Sequence, residues 1–177
     1  MKKLITAVLI LSVCCFAECK KNKPDANGLP AATQEGKNTL GFLLNGTPWT
    51  PQGNNGTANL SIDFDAGLDK GVFDISAYRI LSSNNREYFG IGMKDSLNFY
   101  NAPFTVSLTN SSLYRFYFSN NSCTFFSTDV DTRVGGSIMV SKLEKTNRII
   151  AGTFNATLNK TGCTEIKITD GRFDMKY

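Results

Sequence analysis

The sequence predicts an all-β domain of about ten to twelve short strands, folded as a single antiparallel β-sandwich or a flattened β-barrel. Three observations carry this. Apolar and polar residues alternate with period two in run after run, Asn- and Gly-rich turns separate the runs at short intervals, and helical periodicity is nearly absent. Each run can bury one face and wet the other, which is the signature of antiparallel sheets.

The first element is not a strand. Met1, Lys2 and Lys3 make a short positive start, and Leu4 to Phe16 is an uninterrupted stretch of apolar and small residues. A bilayer-spanning helix needs roughly 20 such residues, so this stretch has the length of a secretory signal core. Cys19 is the lipidation site this layout favours, because Lys20, Lys21 and Lys23 open a polar run directly after it; Cys14 and Cys15 are the alternatives. Glu18 departs from the small residue expected before a lipidated cysteine. A diacylglycerol with a third acyl chain such as palmitate exceeds the two signals that stable attachment requires. The expected organisation is a lipoprotein signal peptide over 1–18, a flexible tether over 19–38 and an all-β domain over 39–177. The expected address is the cell envelope, on the periplasmic face of the outer membrane.

Within the domain, Asn45-Gly46 reads as a tight turn, and Pro48 and Pro51 mark the strand after it as an edge. Leu60, Ile62 and Phe64, then Phe73, Ile75 and Ala77, then Phe89, Ile91 and Met93 are the inward positions of three successive strands. Phe104, Val106 and Leu108 follow. Near the C-terminus, Ile150, Gly152, Phe154, Ala156 and Leu158 make a longer one. A turn at Asn120-Asn121 sets Phe118 opposite Cys123 and Phe116 opposite Phe125, so that Tyr114, Phe116, Phe118, Cys123 and Phe125 share one face. That face reads as core, with a ligand platform as the alternative. Asp170-Gly171 reads as a two-residue hairpin turn that pairs Ile168 with Phe173 and Ile166 with Met175, and on the wet side Lys167 with Asp174 and Glu165 with Lys176. Its rival is one long strand with a bulge at Gly171, which would switch the inward parity.

Of five cysteines, Cys123 and Cys163 lie in the domain, and an even pair in an exported chain predicts a disulfide. Without Lys2, Lys3 and Glu18 the chain holds 17 basic and 14 acidic residues, a net charge of +3. Along the strands these are scattered singly, with Lys20, Lys21 and Lys23 the one basic group, so nucleic acid is not an expected partner.

The chain has no histidine, which removes Ser-His and Cys-His nucleophile pairs and most zinc sites. No catalytic or phosphate-cradling motif is present, and no cofactor or metal is expected. Asp63, Asp65 and Asp69 lack the glycine and glutamate spacing of a calcium loop and read as a solvated strand end and turn, as do Asp129 and Asp131. Asp95-Ser96-Leu97 matches a short O-glycosylation motif of Bacteroidota envelopes, which makes Ser96 a candidate modification site.

Two stretches together resemble a known family. They are Ala32-Thr33-Gln34-Glu35-Gly36-Lys37-Asn38-Thr39 leading into Asn45-Gly46-Thr47-Pro48-Trp49-Thr50-Pro51, and Ile149-Ile150-Ala151-Gly152-Thr153-Phe154 with Cys163 and Ile168-Thr169-Asp170-Gly171-Arg172-Phe173-Asp174. The chain is similar to small Bacteroidota lipoproteins grouped as a domain of unknown function. The resemblance implies an envelope address and an all-β fold, and it brings no catalytic or ligand residues. Phe42 stands where relatives often carry Cys. The function expected from all this is a non-enzymatic binding or structural module anchored to the membrane through its N-terminal lipid. The partner left open is a glycan or an envelope protein. The alternatives are a small barrel binding an apolar or glycan ligand in a mouth lined by Phe116, Phe125 or Trp49, and a carboxylate-only glycan hydrolase.

Overall fold

The alternating runs become strands in the computed structural model, which describes residues 24–109 and 113–177. The expected signal segment, Cys14, Cys15, Cys19 and residues 20–23 of the expected tether lie outside the described residues. Within them the strands are β1 (Thr39–Leu44), β2 (Thr47–Trp49), β3 (Leu60–Asp65), β4 (Val72–Ser82), β5 (Asn85–Met93), β6 (Phe104–Ser107), β7 (Tyr114–Ser119), β8 (Thr124–Phe126), β9 (Thr132–Glu144), β10 (Ile149–Lys160) and β11 (Ile166–Lys176). They form a six-stranded sheet in the order β2-β1-β11-β10-β9-β6 and a five-stranded sheet in the order β3-β4-β5-β7-β8. The sheets pack face to face as a sandwich with no closed barrel. This decides between the two architectures the alternation allowed.

Ring contacts show where the layers meet. Phe89 of β5 lies 4.9 Å from Phe42 of β1 and 5.3 Å from Phe154 of β10. Phe73 of β4 faces Phe173 of β11, and Phe64 of β3 stacks on Tyr177 just beyond β11. These contacts join β3, β4 and β5 of one layer to β1, β10 and β11 of the other. One continuous core fills the space between, from Trp49 and Phe42 through Ile91, Phe116 and Phe154 to Met175. The barrel mouth expected at Phe116, Phe125 and Trp49 does not exist: these side chains are 1%, 1% and 0% exposed and are part of that core.

The inward positions of β3, β4, β5 and β10 are those read from the sequence. Asn45 and Gly46 have φ of 49° and 82° and connect the pair Leu44 and Thr47, which is the two-residue hairpin expected there. Two turns differ. Asp170-Gly171 is not a hairpin: β11 runs through it and pairs with β10 on one side and β1 on the other. The extra residue is a bulge at Asp170, whose φ is 53°. Inward parity switches there, from Ile166 and Ile168 to Gly171, Phe173 and Met175. Only glycine fits at 171, because an added Cβ would stand 2.6 Å from the Phe154 ring. The second difference is at Asn120, whose side-chain oxygen accepts from the Ser122 and Cys123 N–H groups. This builds a four-residue loop, so Phe118 pairs with Phe125 rather than with Cys123. The shift is two residues, which preserves parity and keeps the aromatic face inward.

Candidate functional site

Residues 24–38, expected to be a free tether, are instead a strap fastened across the outer face of the six-stranded sheet. Composition misled because so few apolar residues are needed: Leu29 alone is 0% exposed. Asp25 accepts from the N–H groups of Asn27 and Leu29, which closes a turn, and pairs with Arg172 of β11 at 2.8 Å. The Leu29 amide, backed by Asn27 and the Arg172 charge, outweighs burial and holds the Asp25 carboxyl below its ordinary value. Arg172 also donates to the Pro30 carbonyl. Pro30 sits directly on Gly41, where a Cβ would come within 2.6 Å of its ring.

The second fastening is Asp174, 1% exposed. Its carboxylate accepts from Thr33 Oγ1 at 2.5 Å and from the N–H groups of Glu35, Gly36 and Lys37 at 3.1, 2.7 and 3.2 Å. Burial pushes this carboxyl up, but the four donors more than offset it and hold it below the ordinary 3.8. The expected cross-strand partner Lys167 is not used; Lys167 pairs with Glu165 at 3.3 Å instead.

A pH dependence follows. An aspartate with a lower folded than unfolded value contributes stability that is present above the unfolded value and is lost as pH falls through the folded one. Strap attachment is therefore expected to be complete at neutral pH and to weaken below about pH 4. Asp174→Ala should remove it at neutral pH, at a cost of about 2–3 kcal/mol for hydrogen bonds to a charged acceptor. Limited proteolysis within 25–38, followed against pH and in the variant, checks both. Equal resistance in the variant and the parent would contradict the fastening.

The outer face of the five-stranded sheet carries the most varied set of exposed side chains. One row across it is Asp63, Asp74, Gly92 and Arg115, and the next is Ser61, Ser76, Gly90, Tyr117 and Phe126. Gly90 and Gly92 are buried between their neighbours on this face. Arg115 pairs with Asp74 at 3.4 Å, and the Tyr117 and Phe126 rings stack at 4.5 Å in the next row. Asp74 and Arg115 border a hollow of about 470 Å³ that is also bounded by Leu68, Asp69 and Lys94. Stacked rings next to a carboxylate–guanidinium pair supply apolar contact and directional hydrogen bonds together, which suits a polar ring such as a sugar. A second hollow of about 430 Å³ lies beside the strap over Ser137, Met139, Thr153 and Asn155.

Cys123 and Cys163 form a disulfide. Ser96 is half-buried, its hydroxyl on the Asp95 carboxylate at 2.8 Å. Asp65 accepts from the N–H groups of Gly67 and Leu68 and so shapes the turn that follows β3. Asp129 and Asp131 flank Lys160 at 3.1 and 3.5 Å. Among the described residues no group of three His, Cys, Asp or Glu side chains is placed to hold a metal ion. The strap fasteners Asp25, Arg172 and Asp174 were not anticipated, since their partners lie some 140 positions away in sequence.

Comparison of the chain with protein-family models, with curated proteins and with solved structures gives no match.

Proposed function

We propose that this chain is a lipid-anchored protein of the cell envelope, attached through Cys19. It presents a rigid, non-catalytic β-sandwich as a binding or structural module. The observation that carries the reading is the strap. A domain held from its N-terminus must transmit load where the chain enters it, and here entry is secured by an ion pair to Arg172 and a four-donor bond set on Asp174, both on an interior strand of the larger sheet. The signal-like segment and the lysines after Cys19 supply the address. The absence of histidine and of nucleophile motifs supports a non-enzymatic role. The hollow beside Asp74 and Arg115, with the adjoining Tyr117–Phe126 stack, is the surface the module offers to a glycan or an envelope protein.

The anchor is tested by Cys19→Ser. Fractionation of cells expressing the variant is expected to move the protein from membranes to the soluble fraction. A variant that still sediments with membranes refutes the assignment and returns attention to Cys14 and Cys15.

A further inference from the structure

We infer that the corner of the sandwich formed by the start of β1, the β2–β3 loop and the start of β3 faces the phospholipid bilayer. The inference rests on the Cys19 anchor and adds an orientation to it. Pro24, the first described residue, lines a hollow with Thr39, Thr50, Pro51, Asn59 and Leu60, so the chain enters the domain at this corner. Five residue steps separate Cys19 from Pro24, at most about 18 Å of extended chain. Because the strap is fastened from Asp25 onward, it adds no slack.

The charge distribution favours the same corner. Residues 38–62, which include β1, β2 and the β2–β3 loop, carry no charged side chain at all. The neighbouring strap charges are internally satisfied, Asp25 by Arg172 and Glu35 by Lys37. Nothing acidic therefore opposes approach to anionic headgroups, while Lys20, Lys21 and Lys23 attract them. Asp63, Asp65, Asp69 and Asp74 gather away from the corner, beyond the start of β3.

Val130 marks the diagonally opposite corner. It precedes β9, four strand positions from β2 in the larger sheet, or about 19 Å. Thr132 pairs with Lys160, whereas Leu40 is level with Gly152 through Phe173. The eight residues from 152 to 160 add about 26 Å in the other direction.

The test uses the full lipidated chain reconstituted into phosphatidylethanolamine–phosphatidylglycerol vesicles that carry a headgroup energy-transfer acceptor. Donor labels are placed at Ala58→Cys or Val130→Cys, both exposed positions. The label at 58 is expected to lose most of its emission on reconstitution, and the label at 130 to keep most of it. Equal loss at the two positions, or greater loss at 130, overturns the orientation. A chain that fails to float with the vesicles overturns the Cys19 anchor instead.

Discussion

Truncating Phe154 to alanine is expected to cost the domain about 3–5 kcal/mol, in the range of large-to-small changes at fully packed aromatic sites. Phe154 is an inward residue of β10 at the meeting of the two layers. Its ring stacks on Phe89 at 5.3 Å, meets Phe42 edge-on at 5.8 Å and lies over Gly171. None of these neighbours can fill the space left behind. Phe42 and Phe89 are themselves buried and held by Trp49, and Gly171 has no side chain to offer. Against a typical total of about 5–15 kcal/mol, the loss should bring the variant close to unfolding at ordinary temperature. Urea titration checks it: the midpoint should fall sharply with the slope unchanged. Phe154→Leu, which refills most of the volume, should fall much less. Equal midpoints for Phe154→Ala and the parent would contradict a core centred on this ring.

Opening the Cys123–Cys163 disulfide is expected to cost about 4 kcal/mol by the chain-entropy relation for a loop of this length. The two cysteines are 40 positions apart and join different layers. Cys123 lies in the β7–β8 loop of the smaller sheet, and Cys163 follows β10 of the larger one. Among the described residues no backbone ladder connects the layers at this corner. The other ties are Lys160, which donates to the Thr124 carbonyl and pairs with Asp129 and Asp131. These pairs are partly exposed and contribute little by themselves. Calorimetry of the Cys123→Ser/Cys163→Ser variant, or of the parent in reductant with thiols counted, should show a clearly lowered transition temperature. Two titratable thiols appearing with no thermal change would rule out a stabilising role.

How much was legible depended on whether the deciding contact was local. Phe73, Ile75 and Ala77 face inward as read, because pleating alone places alternate residues on one side. The Asn45-Gly46 hairpin was equally local, since both residues accept positive φ. At Asp170-Gly171 local chemistry allowed two outcomes, a hairpin or a bulge. What separates them is Asp174, whose carboxylate is taken by Thr33, Glu35, Gly36 and Lys37, and β1, which pairs along β11 where a hairpin partner would have run. The Asn120 loop sits between these cases. Its partners are near in sequence, but both two- and four-residue closures keep the same inward face, so the pattern could not choose between them.

The candidate site divides in the same way. The expected address rests on the linear order of charges, apolar residues and cysteines, and so needs no fold. The strap could not be read like that. Composition across 24–38 describes a solvated segment, and it becomes structure only because β11 offers it one buried carboxylate and one guanidinium. The sequence by itself determined the all-β class, the inward residues of most strands and the cysteine pair, because side-chain alternation and an even cysteine count are properties of the chain. Only the tertiary structure decided sandwich over barrel, bulge over hairpin and strap over tether. Each of those rests on pairings between residues far apart in the chain, where the geometry of the partner, not the local pattern, sets which arrangement has the lower free energy.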